Sequence, residues 1–270
     1  MSELKVVYLQ VVEVVVSIKV EEFTMPEWFE NEALWESLFP FTFPPERFDI
    51  AEEQIEKVLK LTECKGRDIL DLCCGPGRHS VALAKKGFTV TGVDRSSFLL
   101  AKAKARAEEQ QVTMEWVEED MRTFVRPAAF DLVLNMFTSF GYFENKADDL
   151  QVLRNVYKSL RPGGVFFIDM AGKEVVAKWF HSTDSQKLPD GSLLVQRHEI
   201  VDDWSRIRNE WVVVKQDKTE VFRFQHTIYS AQELKDRLYQ SGFQRVQMWG
   251  DLDGNEYGAI AQRLVASAWK

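Results

Sequence analysis

The sequence predicts an α/β fold: a doubly wound sheet of seven strands carrying a three-stranded antiparallel insertion after strand five. Three observations predict it. Five short apolar segments between residues 68 and 170 alternate with helix-periodic ones, the pattern of parallel strands joined by right-handed helical crossovers. The first of them runs straight into a Gly-Pro-Gly turn that opens a helix. After about residue 183 the helices stop, and three strand-like segments follow one another through short polar links, as in an antiparallel meander.

The elements follow in order. Residues 6–20, VVYLQVVEVVVSIKV, are dense in valine and read as a strand or an extension outside the core. Gln10, Glu13 and Lys19 interrupt that run, so it lacks the roughly 20 apolar residues of a membrane span, and no small-residue cleavage site marks a signal peptide. The text changes character at Met25, an alternative start. It then becomes aromatic, with Trp28, Phe29, Trp35, Phe39, Phe41, Phe43 and Phe48 punctuated by Pro40, Pro44 and Pro45. A helix carries Phe48, Ala51, Ile55, Val58 and Leu59 at three- and four-residue spacing and stops near Gly66. DILDLCC (68–74) is the first strand, and the helix after it ends at Gly87. FTVTGVD (88–94) is the second strand, followed by a serine-capped helix over 96–111. VTMEWV (112–117) and FDLVLNM (130–136) are strands three and four. A helix with Leu150, Leu153, Val156, Tyr157 and Leu160 on one face ends at Arg161-Pro162-Gly163-Gly164, before VFFIDM (165–170).

The insertion strands are 193–201, 208–214 and 221–228. Ser230-x-x-Glu233 is a capping box that opens the last helix, and 245–250 and 264–270 are the closing strands. The expected organisation is an N-terminal extension and aromatic lid (1–46), a core (47–183), the antiparallel insertion (184–228), and a C-terminal helix and strands completing the core (229–270).

Composition narrows the partners. Lys plus Arg is 34 against 42 Asp plus Glu, a formal charge of −8. Nucleic-acid affinity rests on phosphate neutralisation by a basic face, so no nucleic acid is expected, and no membrane. Three cysteines, two of them adjacent, do not make a disulfide framework, and a cytoplasmic location is expected. No His/Cys cluster has zinc spacing, so no metal is expected.

The chemistry is carried by the strand–turn–helix segment Asp71-Leu72-Cys73-Cys74-Gly75-Pro76-Gly77-Arg78-His79-Ser80. Such a turn presents backbone N–H groups and a helix N-terminus to a ligand. As a dinucleotide fingerprint it is incomplete, because Ser80 stands where the third glycine belongs. Acids flank it: Asp71 ends the first strand, and Asp94 ends the second, where a carboxylate accepts both hydroxyls of a ribose.

Together these residues resemble the class I S-adenosylmethionine-dependent methyltransferases, with their Rossmann-like sheet. Asp71-x-x-x-Gly75-x-Gly77 looks like the first motif and Asp94 like the ribose-binding acid. Glu119-Asp120-Met121 resembles the segment that flanks adenine, residues 130–136 the fourth-strand motif, and Leu160-Arg161-Pro162-Gly163-Gly164 the turn before strand five. Phe137-Thr138-Ser139-Phe140-Gly141-Tyr142-Phe143 is similar to small-molecule members such as the amino-sugar N-methyltransferases, which also carry an inserted antiparallel sheet. The Asn/Asp-Pro-Pro-aromatic motif of amino-methylating DNA enzymes is replaced here by Asn135-Met136-Phe137-Thr138.

The resemblance implies S-adenosyl-L-methionine as cofactor, S-adenosyl-L-homocysteine as product, and a nitrogen or oxygen of a small-molecule acceptor as the methylated atom. It implies cofactor binding by Asp71, Gly75, Gly77, Asp94, Arg95, Asp120, Met121 and Asn135. Phe137, Ser139, Tyr142, Arg197 and Tyr257 are the expected acceptor contacts. His79, Asn135, Tyr142 and Tyr257 are the catalytic candidates. Trp28, Phe29 and Trp35 are expected to cover the cofactor, with a homodimer contact as the alternative use of the aromatic stretch. His198, His226, Trp211 and Tyr229 are weaker candidates, read first as ordinary strand residues. Rival readings are a non-catalytic S-adenosylmethionine-binding regulator and a protein methyltransferase. A nicotinamide-dependent oxidoreductase is disfavoured by the missing third glycine.

Overall fold

Alternate residues of the central strands divide between two cores, as a period of two requires. Leu70, Val133, Phe166 and Ile168 join one cluster, while Ile69, Leu132, Leu134, Val165 and Phe167 join the other. A sheet buried on both faces needs helices on both, and the crossovers supply them. The computed structural model describes residues 27–270, so the valine-rich segment 6–20 and Met25 lie outside the described residues.

After a 3₁₀ turn at Trp28–Glu30, the helices α1 (Glu32–Thr42), α2 (Pro45–Asp49) and α3 (Ala51–Thr62) precede the sheet. There follow β1 (Asp68–Leu72), α4 (Arg78–Lys85), β2 (Thr89–Asp94), α5 (Ser97–Glu109), β3 (Glu115–Glu118), β4 (Phe130–Asn135), α6 (Lys146–Ser159) and β5 (Leu160–Met170). A short α7 (Lys173–Trp179) leads to β6 (Thr183–Lys187), β7 (Leu193–Val201), β8 (Arg206–Val214) and β9 (Thr219–Thr227). The chain closes with α8 (Ala231–Gln240), β10 (Arg245–Trp249) and β11 (Leu264–Trp269).

The large sheet has seven strands in the order β10-β11-β5-β4-β1-β2-β3. The first five strands of the chain are mutually parallel, and β11 runs antiparallel to both β5 and β10. Helices α3 and α4 cover one face through Ile55, Val58 and Leu83. Helices α6 and α8 cover the other through Leu153, Val156, Leu234 and Leu238. The strand order reverses between β1 and β4, and a ligand crevice opens beyond the carboxyl ends of the strands at such a point.

The second sheet has four strands, β6-β7-β8-β9, all antiparallel, where the sequence predicts three. The extra strand reads Thr-Asp-Ser-Gln-Lys and is exposed along its whole length, so it carries no apolar alternation to betray it. Helices α1, α2 and α7 are likewise additions to the predicted elements. Helix α1 holds Pro40 in its interior and buries Leu34 and Leu38 against Leu188, Leu194, Val213 and Phe222. This helix is thereby fixed to the second sheet, and it also packs on α5 of the core. Helix α3 ends at Thr62 rather than near Gly66, because Glu63 turns left-handed at φ 53°. Strand β5 begins at Leu160, with the Arg161–Gly164 turn carried as a bulge against β4.

The capping box at α8 forms as its spacing predicts: Ser230 Oγ accepts from the Glu233 N–H at 3.1 Å, and the Glu233 carboxylate accepts from the Ser230 N–H at 2.8 Å. Ser230→Ala is expected to cost about 1 kcal/mol in equilibrium unfolding. An unchanged denaturation midpoint would show that the box adds nothing. Among the described residues no helix is long and apolar enough to cross a membrane.

Candidate active site

The turn between β1 and α4 is built from backbone that ordinary side chains avoid. Gly77 has φ 74°, and a Cβ there would lie 2.9 Å from the Trp116 ring and 3.0 Å from the Ala103 methyl. Only glycine lets α4 start so close to α5 and β3. Gly75, also left-handed, donates its N–H to Asp94 Oδ2 at 2.7 Å, and Ser96 donates its N–H to Asp94 Oδ1 at 3.0 Å. One carboxylate at the end of β2 therefore holds both the glycine turn and the entry to α5. Burial pushes the Asp94 carboxyl up, and the backbone N–H groups oppose that.

Asp71, at the end of β1, is buried, with the Ser80 hydroxyl donating to it at 2.5 Å. Burial pushes its carboxyl up to about 6. Asp120 lies across the turn, where its carboxylate takes N–H groups from Arg95 and Arg122. Burial raises its carboxyl, but the hydrogen bonds from Arg122 and the charges of both arginines outweigh burial and leave it below the usual range.

A cavity of about 290 Å³ opens over this turn. One half is floored by Asp71, Gly75, Asp94, Asp120 and Met121. The other half is aromatic: Trp28 and Trp35 from the N-terminal strap, Tyr142 from the loop after β4, and Trp211, Phe224 and His226 from the second sheet. The rings touch in sequence, with Trp28 centred 4.7 Å from both Tyr142 and Phe224, and Tyr142 5.1 Å from His226. The strap is tied down by acids. Glu27 accepts from Arg122 at 3.0 Å, Glu30 pairs with Arg95, and Glu32 accepts from Ser96 and Ser97 at the start of α5.

Most of the sequence-predicted residues meet at this cavity. Asp71, Gly75, Asp94, Arg95, Asp120 and Met121 line it, as do His79, Phe137, Ser139 and Tyr142. Trp28, Phe29 and Trp35 form part of its wall. His79 is bound through Nε2 to Gln54 at 2.9 Å, and burial together with the Arg78 charge drives its imidazole well below the ordinary value. The side chain is therefore neutral and already engaged. Ser139 donates to the Met136 carbonyl at 3.0 Å, and burial raises the Tyr142 phenol above its ordinary range.

Four expected residues are not on the wall. Gly77 lies beneath it, packed against Trp116. Asn135 is buried, and its Nδ2 donates to the Leu72 carbonyl at 3.2 Å, tying β4 to β1. Arg197 faces the opposite side of the second sheet, paired at 2.9 Å with Glu210 directly across the β7–β8 ladder. Tyr257 donates to Glu174 at 2.8 Å beside α7, away from the cavity. Lys146 follows Tyr142 at the spacing of a nicotinamide-enzyme Tyr/Lys pair, but only Tyr142 of the two lines the cavity.

Among the wall residues, Asn209, Phe224 and Arg78 escaped the sequence reading, while Trp211 and His226 were its weaker candidates. Asn209 and Trp211 on β8, with Phe224 and His226 on β9, are spaced two apart and so share one sheet face. That alternation was the available signal; which face turns inward was not. Asn209 bridges the histidines, with Oδ1 2.7 Å from His198 Nδ1 and Nδ2 3.5 Å from His226 Nδ1. Arg78 also lines the cavity, from within the turn motif itself.

Comparison with known proteins bears on this arrangement. Residues 69–164 match the methyltransferase domain family. The chain is 31% identical over 212 residues to "Putative methyltransferase YqeM" of Bacillus subtilis, spanning 76% of this chain and 85% of that protein. In fold it is similar to an S-adenosylmethionine-dependent methyltransferase from Clostridium acetobutylicum, at TM-score 0.71 and 16% identity, over 88% of this chain and 96% of the other. It is also similar to the sugar N-methyltransferase KedS8 from Streptoalloteichus, at TM-score 0.66 and 19% identity, over 87% and 92%. The order of the large sheet, the glycine turn with its two flanking acids, and a relative matched over most of its length agree: the chain belongs to the class I S-adenosylmethionine-dependent methyltransferases.

Proposed function

We propose that this protein transfers the methyl group of S-adenosylmethionine to a nitrogen or oxygen of a small molecule held in the aromatic half of the cavity. The observation that carries this reading is the continuity of the cavity. The glycine turn and its acids open, without an intervening wall, into a chamber roofed by the N-terminal strap and the second sheet. Such a chamber suits a compact acceptor better than a polymer.

The residues present fit the cofactor. Each Asp94 oxygen accepts one backbone N–H and keeps a further lone pair for a ribose hydroxyl. Asp71, buried and raised to about 6 with a serine hydroxyl as its side-chain partner, suits an ammonium. Asp120, Met121 and Gly75 line the same floor, where the first two would border the adenine and Gly75 the sugar. When bound, the cofactor supplies a sulfonium methyl already activated for in-line attack.

The work left to the chain is positional. Trp28, Tyr142, Phe224 and His226 orient the acceptor and exclude water. Holding two reactants at about 3 Å contributes roughly 7–11 kcal/mol to such a reaction. Burial holds the His226 imidazole down to about 4, so it is neutral at physiological pH and presents a polar edge rather than a charge to the acceptor.

The test uses methyl-labelled S-adenosylmethionine, the purified protein and an extract of the source cells separated by size. Label in the small-molecule fraction is the expected result. Label confined to protein or RNA would overturn the acceptor class. Cofactor binding without label in any fraction would favour a non-catalytic role.

A further inference from the structure

The tautomer of His226 is set by its neighbour on β8. Asn209 is 3% exposed and stands between two histidines, with Oδ1 2.7 Å from His198 Nδ1 and Nδ2 3.5 Å from His226 Nδ1. The shorter contact suits an N–H donating to oxygen, which leaves the amide nitrogen facing His226. An amide nitrogen only donates, so His226 Nδ1 accepts, and in a neutral imidazole the proton then sits on Nε2. Burial, and after it His198, hold that imidazole down to about 4, which keeps it neutral. Nε2 therefore carries an N–H without a partner among the described residues, on a side chain that lines the cavity.

The chamber around it is rich in donors and poor in side-chain acceptors. The Tyr142 ring is centred 5.1 Å from the His226 ring, and its hydroxyl has no hydrogen-bond partner among the described residues. Trp28 and Trp211 line the same half, and their indole N–H groups are buried without an acceptor among the described residues. The carboxylates that line the cavity, Asp71, Asp94, Glu119 and Asp120, all stand at the ends of β1, β2 and β3, around the glycine turn. The aromatic half thus offers a ligand hydrogen bonds but no carboxylate and no side-chain base. The lone pair of His226 is engaged by Asn209, and burial raises the Tyr142 phenol rather than ionising it.

That pattern distinguishes oxygen from nitrogen. An amine nitrogen has one lone pair, and once it accepts the His226 N–H it has none left for attack. An oxygen anion accepts the same hydrogen bond and keeps further pairs. With no base at hand, the hydroxyl must lose its proton to solvent, which a phenol, at about 10, does far more readily than an alkyl alcohol. We propose that Asn209 positions His226 to donate Nε2–H to the methyl-accepting oxygen, and that this oxygen belongs to an aromatic hydroxyl bound as its anion. The inference rests on the reading that the methyl acceptor lies in the aromatic half of the cavity. In the transfer the phenolate oxygen forms the bond to the methyl carbon, the carbon–sulfur bond breaks, and sulfur keeps the pair. One negative and one positive charge cancel, so no charge is left in a chamber that has no carboxylate to balance it.

Two measurements test this. Two-bond proton–nitrogen correlation spectra of protein labelled with ¹⁵N-histidine report which nitrogen of His226 carries the proton, and His226→Gln identifies its signal. Nε2–H is expected in the wild type, with a change to Nδ1–H or to the imidazolium in Asn209→Asp. Nδ1–H in the wild type overturns the proposal. The second measurement adds 4-nitrophenol, whose anion has its own absorbance band, or 4-nitroaniline, an amine of the same shape, to the S-adenosylhomocysteine complex. The wild type is expected to take nitrophenol up as its anion and to bind it roughly 10- to 100-fold tighter than nitroaniline. His226→Leu is expected to lose that preference, and His226→Gln, which keeps an N–H, to retain it. Failure to bind nitrophenol, equal binding of the two probes, or an unchanged preference in His226→Leu overturns the proposal. Should a variant fail to fold, the wild-type spectrum and the wild-type ratio of the two probes decide. If the wild type binds no S-adenosylhomocysteine, the functional reading fails instead, and the tautomer with nitrophenol binding to the free protein still decides the ligand class.

Discussion

Asp94→Ala is expected to weaken S-adenosylhomocysteine binding by roughly 100- to 1000-fold, the largest single effect anticipated at the site. The carboxylate has two tasks in one place. Its oxygens hold the Gly75 and Ser96 N–H groups at 2.7 and 3.0 Å, so its removal frees the glycine turn and the first turn of α5 together. Its remaining lone pairs are those that would accept two ribose hydroxyls. Hydrogen bonds to an ionised group contribute about 1.5–3 kcal/mol each. Asp94→Asn retains one acceptor oxygen and one of the two backbone contacts, and an intermediate loss is expected of it. Calorimetry with the variants, alongside their melting curves, checks this. Binding by Asp94→Ala within threefold of the wild type would remove Asp94 from the cofactor site.

Which half of the cavity could be read from sequence follows from how each half is built. The half around the glycine turn is local: Asp71, Gly75 and Asp94 lie within one βαβ unit, where strand, turn and helix fix their positions through nearby chain. The apolar runs of β1, β4 and β5 and the capping box at Ser230 are equally local, and each formed as its pattern predicts. The aromatic half is assembled from residues 28, 142, 211, 224 and 226, brought together only by tertiary packing.

In a strand, adjacent residues face opposite sides, so choosing the wrong neighbour reverses the conclusion. Arg197 turns outward to Glu210, while the next residue, His198, turns toward Asn209 on the cavity side. Asn135 illustrates a different limit. Its place at the end of β4 was legible, but its amide points back to Leu72 rather than into the cavity. Strand β6 had no legible signal, since backbone pairing alone holds its exposed polar residues to β7. Arg78 sat in full view inside the turn motif. Its place on the cavity wall, over the ring of Phe137, is set by chain distant in sequence.

Asp149 sets the largest pH dependence of stability expected outside the cavity. It lies in the first turn of α6, fully buried, with Oδ2 accepting the Tyr229 hydroxyl at 2.6 Å and Oδ1 lacking a partner among the described residues. Burial pushes its carboxyl from 3.8 up to about 6; the Tyr229 hydrogen bond and the charges of Arg237 and Arg206 pull the other way, and Asp148 adds to the rise. A raised carboxyl is one that the folded state prefers protonated. Its contribution is therefore fully present below about pH 4 and is lost as pH rises through about 6, where the folded protein must ionise a buried acid. Two units correspond to roughly 3 kcal/mol. Asp71 titrates in the same window, so Asp149→Asn is expected to remove about half of the combined loss rather than all of it. Urea unfolding at intervals from pH 4 to pH 8 measures the slope directly, and an unaltered slope in Asp149→Asn would assign it elsewhere. The consequence reaches the cavity because Thr227, two residues before Tyr229, donates its N–H to the Gly141 carbonyl at 2.7 Å. Ionisation keeps the Tyr229 hydrogen bond, which favours the carboxylate, so what rises with pH is the cost of burying a charge beside the joint between the end of β9, which carries Phe224 and His226, and the loop that carries Tyr142.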